Sequence, residues 1–184
     1  DAALTLKGTP FGDVRFLYGD DFTVCTNSGS ANLTAEVVLV GHGLSSPDRE
    51  WDDYADLDVS GKIALIFRGT PDNGYHWGEA GSRDSTLAEA VKRGAVGVVF
   101  VTERGSVQGA AVHELYPRVP SLYASSRVLE HVLMNTGWDM KRFTEATKEK
   151  PTHLVTGKRM QIRTRVRPVK NGHARDVVAV LEGS

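Results

Sequence analysis

Residues 61–101, GKIALIFRGTPDNGYHWGEAGSRDSTLAEAVKRGAVGVVFV, contain the pattern that decides the fold class. Two apolar runs rich in β-branched residues, at 61–69 and 95–101, adjoin glycines and predict buried strands. Between them, a capping box that starts at Thr86 predicts a helix that ends at Gly94. A strand, a helix and a second strand in this order predict a βαβ unit with parallel strands and a right-handed crossover.

Elements of both kinds flank this unit. Upstream, the run at 36–40 predicts a buried strand that ends at Gly41. Downstream, Ser125 or Ser126 predicts the start of a helix that Gly137 closes. The other predicted elements are strands at 14–18, 22–24, 119–123, 158–167 and 176–181, a short helix at 140–147, an irregular connection at 45–58, and loops at 27–32 and 103–117. Strands thus precede and follow the strand–helix units, which predicts a mixed α/β domain that is rich in β-structure.

The bulk composition excludes several classes of partner. The chain has 184 residues, of which 40% are hydrophobic and 24% charged, as in an ordinary globular domain. Its 22 basic and 23 acidic residues give a net charge of −1, so neither nucleic acid nor a membrane is predicted as a partner. The one cysteine, Cys25, has no nucleophile pattern around it and is interpreted as a structural thiol.

The sequence lacks the patterns that place catalytic groups, metals or cofactors. Gly41 and Gly43 follow a predicted strand, but a third glycine is missing and Pro47 stands where a phosphate-binding helix should begin. The six histidines have no ligand spacing, and no Gly-x-Ser-x-Gly elbow is present. We therefore predict no catalytic residue, no metal ligand and no cofactor. One acidic group lacks the pattern of a calcium loop and is predicted to lie on the solvated surface: Asp52, Asp53, Asp56 and Asp58.

The best candidate for a binding surface is the loop at 70–83. It combines aromatic and polar side chains of the kinds that are enriched at recognition sites. The candidate substrate- or partner-binding residues are Asn73, Tyr75, His76, Trp77 and Arg83. The alternative is that the tyrosine and the tryptophan only pack the loop onto the domain.

Several segments, taken in order, resemble the protease-associated domain of zinc aminopeptidases. They are 38–44 (VLVGHGL), 51–66 (WDDYADLDVSGKIALI), 88–101 (AEAVKRGAVGVVFV), 119–122 (VPSL) and 176–184 (DVVAVLEGS). The resemblance covers residues 35–184. It departs from the family pattern at His42, where an aromatic residue is frequent, and at Asp176, where asparagine is usual.

This resemblance implies a swivelling three-layer β/β/α arrangement, in which two or three helices flank a curved β-structure. It also implies three parts of the chain. Residues 1–34 would be a flanking segment that packs on the domain, and residues 35–168 would be the protease-associated domain. Residues 169–184 would be an exit strand that leads to a peptidase domain outside this chain.

The resemblance further implies a non-catalytic accessory domain of a secreted or periplasmic zinc aminopeptidase, which modulates substrate access or mediates the binding of a peptide or protein. The expected partners are the peptidase domain in cis and a peptide substrate or protein, and zinc is expected only in that peptidase domain. Three alternatives stay open. They are a free-standing protein- or ligand-binding module of a receptor-type protein, an accessory insert of a subtilisin-like serine peptidase, and an enzyme in its own right.

Overall fold

A computed structural model of the protein describes residues 2–102 and 119–167. The strands are β1 (Ala2–Thr9), β2 (Gly12–Phe16), β3 (Phe22–Val24), β4 (Ala31–Val40), β5 (Ser45–Ser46), β6 (Trp51–Asp52), β7 (Ile63–Phe67), β8 (Gly97–Val101), β9 (Ser121–Ala124) and β10 (His153–Thr164). Within the described residues, eight of them form one sheet in the order β2-β1-β10-β4-β7-β8-β9-β3, and β5 and β6 form a separate two-stranded ribbon. The helices are α1 (Arg83–Lys92), α2 (Ser126–Leu133) and α3 (Met140–Glu149).

The centre of the sheet is parallel, as the predicted βαβ unit requires. β4, β7, β8 and β9 pair in parallel with one another, and α1 connects β7 to β8. Every residue of β7 is buried, because helices and loops cover both faces of a parallel sheet.

Two hydrophobic cores lie on the two faces of these strands. On one face, Leu39 and Leu65 pack with residues of α2 and α3, including Phe143. On the other face, Val38 and Ile66 pack with α1 and with the segment that follows β6. The alternation of side chains along a strand therefore gives each helix layer its own core.

The outer half of the sheet is antiparallel. β10 pairs with β4 on one side and with β1 on the other. In β10, Met160, Ile162 and Thr164 are buried, which confirms the predicted period of two. The sheet curls, and with the three helices it confirms the predicted mixed α/β class of a protease-associated domain.

Several element boundaries differ from the predictions. α1 begins after Ser82, whose hydroxyl accepts a hydrogen bond from the Ser85 amide, so Thr86 lies inside the helix. α2 ends at Leu133, before the predicted end at Gly137. β10 begins five residues before the predicted strand, at His153. A bulge between Val155 and Lys158 separates these first residues from the regular alternation on which the prediction depended.

Other predictions missed whole strands. The strand β1 was not predicted, and β4 begins at Ala31, inside the predicted loop at 27–32. The predicted irregular connection at 45–58 contains the β5–β6 ribbon. The predicted strand at 176–181, the loop at 103–117 and the exit segment 169–184 lie outside the described residues. None of the described helices combines the length and the apolar character that crossing a bilayer requires.

Candidate functional site

An exposed surface forms where the 70–83 loop meets the turn between β5 and β6. The Arg49 side chain donates a hydrogen bond from Nη2 to the main-chain oxygen of His76 over 2.8 Å. Its guanidinium carbon lies 5.2 Å from the centre of the Tyr75 ring and 5.3 Å from that of Trp77. These are cation–π distances. We call these four residues the Arg49–Tyr75 surface.

Arg49 owes its position to the ribbon. The connection between β5 and β6 is a short 3₁₀ helix, Pro47–Arg49, which begins with proline, a residue suited to a first helical position. Glu50 then adopts a left-handed conformation with φ 51° and returns the chain to β6. Arg49 therefore projects from the tip of a closed hairpin, where it meets the loop.

Trp77 anchors the loop in the interior, whereas the Tyr75 side chain is exposed to solvent. Trp77 is 5% exposed and packs with Leu44 and Trp51 in a small separate core. The Trp51 and Trp77 rings meet edge to face at 5.3 Å. Tyr75 is 58% exposed and meets Trp77 edge to face at 6.1 Å. An exposed ring is thus held by a buried one.

The ribbon itself is attached to helix α1. Arg93, at the end of α1, donates hydrogen bonds to Asp52 Oδ1 over 3.1 Å and to Ser45 Oγ over 3.2 Å. Its guanidinium carbon also lies 4.5 Å from the centre of the Tyr54 ring. Because one arginine touches both strands of the ribbon, the position of Arg49 is coupled to the βαβ unit.

A buried carboxylate lies beneath the surface. Asp53 Oδ2 accepts hydrogen bonds from the amides of His42 and Leu44, each over 3.0 Å. Asp53 Oδ1 accepts a third from Trp51 Nε1, also over 3.0 Å. Asp53 therefore fastens the turn after β4 to the tryptophan against which Trp77 packs.

The five predicted site residues do not form one cluster. Tyr75, His76 and Trp77 lie together in the Arg49–Tyr75 surface, whereas Asn73 shapes the loop by accepting a hydrogen bond from the Tyr75 amide over 3.3 Å. Arg83 points elsewhere, and its Nη1 donates to the Tyr123 hydroxyl over 2.9 Å. Arg49 was not predicted, because a residue of a distant turn gives no local signal.

The model of the PA domain family matches residues 33–131, which is more than half of the chain. The chain belongs to the PA domain family. A search of the curated proteins gives no match.

Solved structures with a similar fold include two aminopeptidases. The aminopeptidase from Aneurinibacillus sp. strain AM-1 matches this PA domain with a TM-score of 0.56 and 20% sequence identity, over 89% of this chain and 30% of that chain. BSAP, a zinc aminopeptidase from Bacillus subtilis, matches with a TM-score of 0.50 and 16% identity, also over 89% of this chain and 30% of that chain. At these identities the likeness is one of fold, and this chain spans less than a third of either protein.

Two of the four acidic residues at 52–58 form ion pairs. Asp52 pairs with Arg93, and Asp58 pairs with Lys62 over 2.9 Å. The prediction that all four acidic residues are solvated was wrong for Asp53, which is fully buried. Within residues 2–102 and 119–167, no three His, Cys, Asp or Glu side chains are grouped so that they could hold a metal ion.

Two buried groups at the turn after β4 have pKa values shifted in opposite directions. Burial raises the pKa of the Asp53 carboxyl from 3.8 to about 6, although its N–H donors favour the charged form. Burial lowers the pKa of the His42 imidazole from 6.5 to about 4. The interval between the ordinary and the shifted pKa is therefore nearly the same for both groups.

We predict that their contributions to stability oppose each other. Asp53 contributes stability below pH 3.8 that is lost as the pH rises through about 6, and His42 contributes stability above pH 6.5 that is lost as the pH falls through about 4. In His42→Phe, the free energy of unfolding should therefore fall by on the order of 2–3 kcal/mol between pH 4 and pH 6. In Asp53→Asn it should rise by a similar amount up to about pH 6.5.

Urea unfolding at several pH values between 4 and 7 tests this pair of slopes. The wild-type protein serves as the reference, because its two contributions nearly cancel over this range. Parallel pH profiles for the wild type and both variants would show that the two groups do not titrate as described.

Proposed function

We propose that this PA domain is a non-catalytic accessory domain of a secreted or periplasmic zinc aminopeptidase. Membership of the PA domain family and the fold shared with two aminopeptidases support the proposal. The matched region makes up 30% of each of those chains, which leaves room for a peptidase domain as the partner in cis. That domain would bind zinc and hydrolyse the peptide bond with zinc-activated water.

The proposal includes the division of the chain. Residues 35–168 would form the accessory domain. Residues 1–34 would be a flanking segment that packs on it by adding β1, β2 and β3 to its sheet. Residues 169–184 would lead to the peptidase domain. The resemblance of residues 176–184 to the family's exit strand supports this division.

The observation that carries the functional proposal is the Arg49–Tyr75 surface. Tyrosine and arginine are among the residues that contribute most at binding surfaces. Here the exposed Tyr75 ring is fixed before binding by contacts with Trp77 and Arg49, so little side-chain entropy is lost when a ligand binds. We propose that this surface contacts the peptide substrate beside the entrance to the peptidase site.

Replacing Tyr75 with alanine tests this role in the full-length enzyme. We expect the KM for a peptide of about ten residues to rise about 5- to 30-fold, as is typical for loss of an aromatic anchor worth about 1–2 kcal/mol. A single aminoacyl anilide is too short to reach the accessory domain, and its KM should not change. Steady-state kinetics with both substrates measures the difference.

Phe11→Ala is the matched control. Phe11 is an aromatic residue that is 86% exposed, in the turn between β1 and β2. Tyr75→Phe retains the ring and should behave like the wild type. If Tyr75→Ala and Phe11→Ala give the same KM for the long peptide, the surface does not bind substrate. If chelation of zinc leaves the full-length protein active, the assignment to a zinc aminopeptidase is wrong.

A further inference from the structure

A cleft lies at the carboxyl ends of the parallel strands. None of the residues of the Arg49–Tyr75 surface lines it. Its volume is about 540 Å³. Arg68 follows β7 directly and Thr102 follows β8, while His42 lies two residues after β4. The first turn of α1 closes another side. In α/β sheets, ligands bind in the crevice outside this edge of the strands.

Two arginines give the cleft its charge. Both Arg68 and Arg83 line it, and within the described residues no carboxylate does. Arg83 is held in place, because Nη1 donates to the Tyr123 hydroxyl and Nε donates to Asp84 over 2.9 Å. The Arg68 guanidinium carbon lies 5.5 Å from the centre of the same Tyr123 ring.

The two guanidinium groups retain donors for a ligand. Three of the five N–H groups of Arg83 are engaged with Asp84 and Tyr123, which leaves two. Arg68 is exposed, and in residues 2–102 and 119–167 its guanidinium makes the ring contact but no hydrogen bond or ion pair. A planar guanidinium with unused donors is suited to a carboxylate.

A buried histidine adds a third polar group. His42 lines the cleft but is only 9% exposed, and its Nδ1 has no hydrogen-bond partner among the described residues. Because burial lowers its pKa to about 4, the ring is neutral at pH 7 and carries one N–H. The main chain of Gly69 and Phe67 engages this N–H, so His42 forms part of the wall of the cleft and the two arginines are left to bind the charge of a ligand.

The walls and the net charge narrow the choice of ligand. Phe67 and Phe100 also line the cleft, and they offer an apolar wall to the part of a ligand next to its charge. Asp84 offsets one of the two arginine charges. One net positive charge fits a singly charged carboxylate better than a doubly charged phosphate.

We propose that this cleft binds a peptide carboxylate, with Arg68 and Arg83 as its cationic ligands. The apolar wall would contact the side chain next to that carboxylate. This inference does not depend on the proposed aminopeptidase, because it uses only groups of this chain. The carboxylate can be the carboxyl terminus of a peptide or an acidic side chain.

Three N-acetylated peptides distinguish these sources. Acetyl-Ala-Ala-Leu has a free carboxyl terminus, its amide has none, and acetyl-Ala-Glu-Ala amide has only a side-chain carboxylate. Each is titrated into the isotope-labelled chain, and the amide signals of Gly69 and Thr86 and the arginine Nε–H signals are followed by NMR. We expect saturable binding of at least one carboxylate peptide. The dissociation constant of acetyl-Ala-Ala-Leu amide should be at least about 10-fold higher than that of the carboxylate peptide that binds.

Arg68→Gln is the decisive variant, because Arg68 is exposed and its replacement leaves the core intact. It should weaken binding of the carboxylate peptide about 10-fold or more, and Arg68→Lys should restore part of the loss. Arg142→Gln is the matched control, since Arg142 also stacks on an aromatic ring, at 4.4 Å from that of Trp138, but does not line the cleft. The proposal is overturned if neither carboxylate peptide binds saturably, if acetyl-Ala-Ala-Leu amide binds as tightly as the better of the two, or if Arg68→Gln and Arg142→Gln lose binding equally.

Discussion

Asp53→Ala is expected to lower the free energy of unfolding by about 3–5 kcal/mol, because three buried N–H groups lose their acceptor at once. Two of these groups are the amides of His42 and Leu44, and the third is Trp51 Nε1. Each unsatisfied buried donor costs about 1–3 kcal/mol.

The same substitution should disturb the Arg49–Tyr75 surface. Trp51 is held by Asp53 on one side and packs against Trp77 on the other. When that bond is lost, both indole rings gain freedom and contact with water. We expect a red shift of tryptophan fluorescence in the folded variant, together with a lower urea midpoint.

Asp58→Ala is the control for this experiment. Asp58 belongs to the same acidic segment, but its side chain is 72% exposed and forms an ion pair with Lys62, four residues later. An exposed pair of this kind is worth about 1 kcal/mol or less. If Asp53→Ala and Asp58→Ala are equally stable, the buried carboxylate does not organise the turn.

Gly41→Ala is the second substitution with a large expected effect. Gly41 has φ 28°, and a Cβ atom there would lie 2.8 Å from both Cγ and Oδ1 of Asp53. The carboxylate cannot move away without giving up its three donors. We expect a loss of about 2–5 kcal/mol, from the left-handed backbone and the overpacking together, measured by urea unfolding.

Gly61→Ala separates these two causes. Gly61 has φ 70°, but a Cβ atom there would meet nothing within 4 Å. Its replacement should cost only the backbone contribution of about 1–2 kcal/mol. A cost at Gly41 no larger than that at Gly61 would mean that the close approach to Asp53 is not tight.

The parts of the fold with local signals could be predicted from the sequence. The strand–helix–strand unit around Gly94 and the alternation at 158–167 depend on nearby residues, and the structure confirms both. β1 was missed because its place is given by a partner far along the chain. Leu4 lies opposite Ile162, and no local pattern in residues 2–9 predicts that pairing.

The candidate site shows the same division. The aromatic character of Tyr75 and Trp77 marked the loop, and the structure places both rings in one surface. Asp53 was taken for a surface residue because it lies in a polar segment. Its burial follows from three donors that converge only in the folded chain. Arg49 was missed for the same reason.

The position of β10 between β1 and β4 has a consequence for how the chain folds. The parallel centre can form as its units emerge, since β7 and β8 are joined by one helix. The outer half cannot close until β10 exists, because Ala2 pairs with Thr164. Loops that long close slowly. During synthesis, β4 is therefore an unpaired edge strand until β10 has been made. An edge of this kind can bind a chaperone or pair with a neighbouring nascent chain.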